Sequence, residues 1–258
     1  METIFSFMRS LTFSDKKLDF SETNNLKFSN HNKLALLLVF PFFEIKTSWY
    51  YANSALYRFF SCGKDVFYRL MNDSSIDWRN LSYSLTMQLI RKVQINSDLY
   101  NPNPHCLIID DTDLPKTGRK IELIGKIFLH VTQTSNLRFK GLFLGYHDGE
   151  NFFSLDFSLH GEKGKNQNKP YGLTSAQAKK RYSKERDKSS KGSEGTNDYF
   201  LSKIDSMINI IRRAIMKGIR FDLVLVDSWF TCFELVQFIV YRRIKCHLIG
   251  MIKMGKTR

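Results

Sequence analysis

The sequence contains few of the residues that build disulfide scaffolds or zinc modules. Its 258 residues include four cysteines, and none of them forms a Cys-x-x-Cys pair or a Cys/His cluster with zinc spacing. This spacing argues against a structural zinc site. Isolated cysteines are typical of buried apolar positions in a protein from a reducing compartment.

Long apolar runs are also absent from the sequence. The most apolar stretch, residues 34–43, is about half as long as the roughly 20 residues that a membrane-spanning helix needs. The first 20 residues mix charged residues with Phe and have no apolar core, unlike a secretory signal. We therefore expect a cytoplasmic protein that has no membrane partner.

Acidic residues are outnumbered by basic ones. The chain has 39 Lys and Arg against 25 Asp and Glu, which gives a formal net charge of +14. Hydrophobic residues make up 43% and charged residues 25%, so the chain as a whole is globular and not disordered. The positive excess favours a polyanionic partner, with nucleic acid first and an anionic membrane surface second.

The first hundred residues predict a polar lead-in followed by helices. Residues 1–30 are rich in Asn and Ser, and residues 31–100 show helical spacing of apolar positions. Two prolines in residues 101–104 forbid a helix there and predict a linker. Aromatic residues crowd the helical region around Arg58 and Arg69, and they fit either a small core or a DNA contact.

The remainder of the chain, residues 105–258, predicts a mixed sheet with helices packed on it. A strand at 106–109 precedes three strands at 127–134, 140–146 and 151–158, and Asp148-Gly149 predicts a hairpin between the last two. A helix at 199–217, a strand at 221–226, a helix at 230–243 and a strand at 247–252 follow. This order matches the ribonuclease-H-like topology in its connections.

Acidic side chains follow two of the predicted strands. Asp110 and Asp111 end the first strand, and Asp227 ends the strand at 221–226. Acids at the ends of neighbouring buried strands meet at one edge of the sheet, where their hard oxygen ligands suit Mg²⁺. A pair of such ions serves phosphoryl transfer. The alternative is a turn or cap, which we expect for Asp113 and which Asp227 could form before the next helix.

Strand alternation leaves the choice within the acidic pair open. Only one of Asp110 and Asp111 points to the same face as its partner across the sheet, and the register is needed to tell which.

Four sequence blocks resemble IS4-type DDE transposases. The block LIIDDTD at 107–113, with residues 116–125, resembles the first-aspartate block of that family, and residues 140–159 continue the resemblance. The block LVLVDSWF at 223–230 resembles the region of the second catalytic aspartate. Residues 63–79 resemble the N-terminal region, so the resemblance covers most of residues 34–258.

The resemblance implies a function and a set of site residues. Asp227 matches the second metal-ligating aspartate, and Asp111, which precedes a Thr, matches the first, with Asp110 as the close alternative. It implies a ribonuclease-H-like catalytic domain at 105–258 after a helical DNA-binding domain at 31–100. It also implies Mg²⁺, with Mn²⁺ possible, and a homodimer acting on paired ends of double-stranded DNA.

The family's third acid, a Glu on a later helix, has no match here. Glu234 is the only acidic residue after Asp227, and we interpret it as a solvated helix residue. The chain is therefore interpreted as a transposase truncated before its third acid and inactive in strand transfer. One alternative is a non-catalytic DNA-binding remnant that regulates transposition. Another is a different ribonuclease-H-like nuclease that uses Glu122 or Glu234.

Residues 161–192 form the most basic segment of the chain. They hold ten Lys and Arg against three acidic residues, a net charge of +7. Residues 174–188 predict a basic helix with Thr174 as its N-cap. The segment fits a solvated loop or a clamp on the DNA backbone equally well. The candidate DNA contacts are Lys179, Lys180, Arg181, Lys184 and Arg186.

Overall fold

The computed structural model describes residues 6–8, 10–12, 28–96, 103–129 and 132–252. Most of the predicted lead-in and half of the predicted linker lie outside these residues. The chain divides into two compact units, of which the first comprises Met1–Gln88 with Lys188–Ser193 and the second Leu89–Asp187 with Glu194–Arg258. Within the described residues, no helix is long and apolar enough to cross a membrane.

All regular elements described in residues 28–88 are helical. They are α1 (Asn30–Val39), α2 (Lys64–Met71), the first part of α3 (Trp78–Asn96), and three 3-10 helices at Phe40–Phe43, Ser48–Asn53 and Ala55–Arg58. Residues 48–58 do not form one continuous helix. Ser54 is extended, and its hydroxyl donates a hydrogen bond to the Tyr51 carbonyl, which divides the run into two short 3-10 helices.

Buried apolar residues hold the first unit together. One cluster joins α1, α2 and the start of α3 through Leu34, Leu70 and Leu81. A second, aromatic contact places the ring of Tyr51 5.7 Å from Phe40 and 4.8 Å from Phe67. Part of the aromatic content of this region is therefore core, as one of the two sequence interpretations expected.

The second unit is built on one six-stranded mixed sheet. The strands are β1 (Cys106–Pro115), β2 (Gly125–Leu129), β3 (Thr134–His147), β4 (Phe152–His160), β5 (Leu223–Val226) and β6 (His247–Gly250). Their order is β2-β3-β1-β5-β6, and β4 also pairs with β3. β3 runs antiparallel to β1, β2 and β4, whereas β1, β5 and β6 are parallel. The predicted mixed sheet is confirmed.

β1 is longer than the sequence predicts, and this changes the place of Asp113. The prediction ended the strand at residue 109 and made Asp113 a turn former, which was wrong. Asp113 lies inside β1 opposite Lys140 of β3, and its Oδ1 lies 3.1 Å from the Lys140 ammonium. A polar strand end persists here because the neighbouring strand supplies cations for its acids.

The remaining elements are helices and a hairpin. They are α4 (Ser175–Lys179), α5 (Lys191–Asp198), α6 (Lys203–Met216), α7 (Phe233–Tyr241) and a 3-10 helix at Pro170–Gly172. α6 begins after Ser202, whose hydroxyl accepts from Asp205 N, and ends before Gly218, which has the left-handed φ of +78°. The hairpin predicted at Asp148-Gly149 joins β3 to β4 and is confirmed, with Gly149 at φ +100°.

The two faces of the sheet differ in what lies on them. Residues Leu107, Ile109 and Asp111 of β1 point to the face on which α6 packs, which we call the inner face. Ile108 and Asp110 point to the opposite, outer face. α7 packs against α6. Fully buried residues of α6 and β3, among them Met207 and Leu142, form the core beneath the inner face.

Candidate functional site at the carboxyl edge of the sheet

Asp227 occupies the turn that leaves β5. Its Oδ1 accepts hydrogen bonds from the backbone N–H groups of Trp229 and Phe230, at 2.9 and 3.1 Å. The next helix begins only at Phe233, after Cys232. Asp227 therefore orders the intervening turn. It does not cap α7, so the capping alternative for Asp227 was wrong. The helix start predicted at 230 is too early because this turn comes first.

The register of β1 and β5 brings Asp110 beside Asp227. The last registered pair of these parallel strands is Ile109 with Val226, so Asp110 and Asp227 are the next residues of their strands. Adjacent strands lie about 4.8 Å apart. Asp110 is exposed, and its Oδ1 accepts from Asp111 N at 2.8 Å. No hydrogen bond between described residues reaches Oδ2 of Asp110 or of Asp227.

Asp111 points to the inner face and is held by lysines. Its Oδ2 accepts a hydrogen bond from the ammonium of Lys203, the first residue of α6, at 2.6 Å. The Lys140 ammonium lies 3.9 Å from Oδ1. The side chains of Asp111, Lys203 and Lys140 are all less than one-fifth exposed. Asp111 therefore forms ion pairs within the protein, and the two lysines compensate its negative charge.

Lys203 also connects the ends of β1 and β5. Its ammonium lies 5.7 Å from the ring centroid of Trp229, two residues after Asp227, and 4.0 Å from Glu162 in the segment after β4. One largely buried cation thus lies beside both the strand that carries Asp110 and the turn that follows Asp227.

The inner face continues as a network of buried polar groups. The Ser158 hydroxyl and His160 Nε2 lie 2.7 Å apart on β4. Burial, together with the nearby Lys203 charge, lowers the pKa of His160. Further along β4, Asp156 Oδ2 accepts from Arg213 Nε of α6 at 2.7 Å, and the Asp156 side chain is completely buried. Arg138 of β3 lies 3.4 Å from Asp113.

Carboxylate oxygens at the outer edge suit a hard divalent cation. Among the described residues, no group of three or more His, Cys, Asp or Glu is placed to hold a metal ion. Asp110 and Asp227 supply two carboxylates, and Mg²⁺ is commonly held by one or two carboxylates with waters and substrate phosphates. The donor set therefore fits Mg²⁺ or Mn²⁺ bound together with a phosphate-containing ligand.

The basic segment is only partly helical. Thr174 is the N-cap of α4 in a capping box with Gln177, as predicted, but the helix ends at Lys179 instead of residue 188. Arg181 and Arg186 turn back to the sheet region. Arg181 donates to the Ile124 carbonyl. These tethers to residues about 60 positions earlier draw the chain out of the helix after its first turns.

The five candidate DNA contacts of this segment therefore differ in their surroundings. Arg186 donates two hydrogen bonds to the Glu122 carboxylate, and this interaction raises the pKa of Arg186. Lys179 and Lys180 are exposed, whereas Arg181 and Lys184 are half-buried. The structure ties Arg181 and Arg186 to their own chain and leaves Lys179 and Lys180 as the solvent-facing cations of the set. Glu122, a candidate third acid, is engaged by Arg186.

Sequence reasoning missed Lys203, Lys140 and His160. Lys203 had no local signal, because the sequence predicts a helix that already starts at 199, whereas α6 begins at Lys203. Its partner Asp111 lies 92 residues earlier, so only the fold identifies it.

Comparisons with known proteins identify the family. The family model described as DDE superfamily endonuclease matches residues 54–249, about three-quarters of the chain. The chain belongs to this family. The resemblance of the sequence to DDE enzymes is thereby confirmed at the superfamily level. The IS4 subtype stays a prediction.

One solved structure aligns weakly with this member of the DDE endonuclease family. It is described as a cryo-EM structure of a piggyBac transposase synaptic complex with hairpin DNA, at 11% identity and a TM-score of 0.38. The alignment covers 97% of this chain and 49% of that one, so the chain spans about half the length of that transposase. No curated protein matches the chain.

Proposed function

We propose that this member of the DDE superfamily is a transposase-type, metal-dependent enzyme acting on DNA, with Asp110 and Asp227 as its metal ligands. The register that places Asp110 directly beyond Ile109–Val226 is the observation that carries this proposal. Asp111, the other candidate ligand, supports the fold instead, since it is paired with Lys203 on the inner face. The strand order and the parallel pairing of β1 with β5 support a ribonuclease-H-like catalytic domain.

The residues of the chain prepare the site in three ways. The two N–H bonds to Oδ1 of Asp227 orient that carboxylate, and the bond from Asp111 N orients Asp110. Lys203 holds the two strand ends together from beneath. A divalent ion at this place would supply charge stabilisation at the phosphorus and activation of the attacking oxygen.

Double-stranded DNA is the proposed partner of this site. The net charge of +14 provides attraction to the phosphate backbone, and half of it comes from residues 161–192. Lys179 and Lys180 are the exposed cations of α4 and its C-cap, so we assign the backbone contact to them. Neutralising both, by Lys179→Gln and Lys180→Gln, should reduce the slope of log affinity against log salt concentration by roughly two in magnitude. Lys245→Gln, at an exposed lysine outside the segment, is the control and should leave the slope within error.

The described residues bring two acids together at this edge, whereas the reaction uses three in the family pattern. Glu234 is exposed on α7, and Glu122 is paired with Arg186, so neither joins Asp110 and Asp227. We therefore propose that these residues alone bind metal and DNA without strand transfer. A DNA-binding regulator of transposition is the second candidate function. It is favoured by the lack of a three-acid cluster in the described parts of the chain.

Calorimetric titration of Mn²⁺ into the whole chain with bound DNA tests the assignment. Asp110→Asn and Asp227→Asn should each weaken Mn²⁺ binding by at least about tenfold, since each removes one of two carboxylates. Asp111→Asn is the matched control and should change Mn²⁺ affinity by less than about threefold. Equal losses for Asp110→Asn and Asp111→Asn would overturn the division of roles. Metal-dependent strand transfer by residues 1–258 would refute the inactivity.

A further inference from the structure

The first unit carries an exposed aromatic surface that its core does not require. Five large aromatic side chains in residues 42–59 are between 40% and 68% exposed. We call them the aromatic surface, and they are Phe42, Trp49, Tyr50, Tyr57 and Phe59. The five rings lie within 18 residues of sequence, on a unit whose core is filled by other aromatic residues such as Tyr51 and Phe67, and this favours a role in binding.

A rigid base supports these rings. Tyr51, between Tyr50 and Tyr57 in sequence, is fully buried, and its hydroxyl donates to the Phe60 carbonyl at 2.6 Å. The Ser48–Asn53 helix packs against α2 and against the Ala55–Arg58 helix. The exposed rings are therefore displayed from ordered 3-10 helices, and ordering them on a ligand costs little conformational entropy.

Positive charge lies beside Trp49 and elsewhere in the same stretch of sequence. The ammonium of Lys64 lies 3.2 Å from the ring centroid of Trp49. Residues 40–72 contain four basic residues against two acidic ones, and Lys46, Arg58 and Arg69 are exposed. A surface that combines planar rings with cations is complementary to a polyanion that has flat apolar groups.

We infer that the aromatic surface binds unpaired bases of DNA. Bases inside a duplex stack on each other and present only their edges, whereas an unpaired base offers a free π-face to an aromatic ring. The neighbouring cations would contact the flanking phosphates. This inference rests on the proposed function for its DNA partner, and it adds a preference for unpaired over duplex DNA that the acidic site does not supply.

Fluorescence anisotropy of the whole chain with labelled DNA tests the inference. Trp49→Leu combined with Phe59→Leu should weaken binding to a single-stranded oligonucleotide by roughly tenfold or more. Binding to a blunt duplex of equal length should change less than about twofold. Trp49→Phe alone, which keeps an aromatic ring at this position, should retain most of the parent's affinity for the single strand. Phe233→Leu, at a 74% exposed phenylalanine of the second unit, is the matched control and should have no effect.

The outcomes separate the inference from the proposed function. If the chain binds neither form of DNA, both are overturned. If duplex binding persists while the leucine variants leave single-strand affinity unchanged, the inference alone fails, and the surface is assigned to a protein partner. Equal weakening on both forms of DNA would contradict the preference for unpaired bases. Matching urea midpoints for variants and parent would show that folding is intact.

Discussion

Asp110 and Asp111 are adjacent in the sequence, yet the two faces of the sheet give them opposite surroundings. Asp111 enters the inner face, where Lys203 neutralises it beneath α6. Asp110 stays on the outer face, exposed and next in register to Asp227. The comparison shows that a single step along a strand separates an acid that supports the fold from one free to bind a ligand.

The largest effect is expected where the inner face buries an acid completely. Arg213→Met should lower the free energy of unfolding by about 3 kcal/mol, because it removes the guanidinium that pairs with the fully buried Asp156 carboxylate. Urea denaturation provides the measurement. Arg212→Met, at the exposed neighbouring arginine, should cost less than about 0.5 kcal/mol. Similar losses for the two variants would mean that burial of Asp156 does not decide stability.

A somewhat smaller loss is expected from the ion pair beside the proposed site. Lys203→Met should destabilise the fold by about 2 kcal/mol, since it leaves the largely buried Asp111 with the more distant Lys140 ammonium, 3.9 Å away, as its cation. Adding Asp111→Asn should recover part of this loss, because the poorly compensated charge is then gone. A double-mutant cycle in urea measures the coupling, and additive losses would show that the two side chains do not interact energetically.

The inner face should also make stability depend on pH. The folded-state pKa of His160 lies below the ordinary value of 6.5, so the unfolded chain takes up a proton first as the pH falls. His160 therefore adds a loss of stability as the pH falls below about 6.5, which continues until its lowered folded-state pKa is reached. His160→Gln should flatten the curve of unfolding free energy against pH in that window. An unchanged curve would show that folding does not lower the pKa of His160.

The smallest effect is expected on the outer face. Phe157→Ala should cost less than about 1 kcal/mol, because the Phe157 ring, stacked on Phe143, is 44% exposed. Leu144→Ala, at a fully buried inner-face position of the adjacent strand, should cost about 3 kcal/mol. Thermal unfolding of both variants measures the contrast. Losses of equal size would show that the two faces are packed alike.

The sequence predicted those parts of the fold that local patterns encode. The apolar run at 223–226, the amphipathic α6 and the Asp148-Gly149 hairpin follow from composition and spacing. Asp113 was misplaced because its partners Arg138 and Lys140 lie on another strand. The helix predicted over residues 174–188 is too long because Arg186 pairs with Glu122, 64 positions earlier in the chain.

The candidate site was predicted in its residue types and not in its geometry. The sequence singled out Asp110, Asp111 and Asp227, but the choice within the first two needs the pairing of β1 with β5. That pairing joins strands more than 100 residues apart, and no local pattern specifies it. Lys203, which pairs with Asp111 and not with Asp110, is the first residue of α6, where the helix dipole disfavours a cation.

The lysine beneath β1 also has a consequence for how the strand aligns as the chain folds. If β1 slid by one residue so that Asp111 took the outer position, Thr112 would face Lys203, and an ammonium would be enclosed opposite a hydroxyl. Sliding the other way would turn Ile109 outward and remove an acid from the edge. Lys203 thus disfavours the first slip before any ligand arrives, and the loss of the buried position of Ile109 disfavours the second.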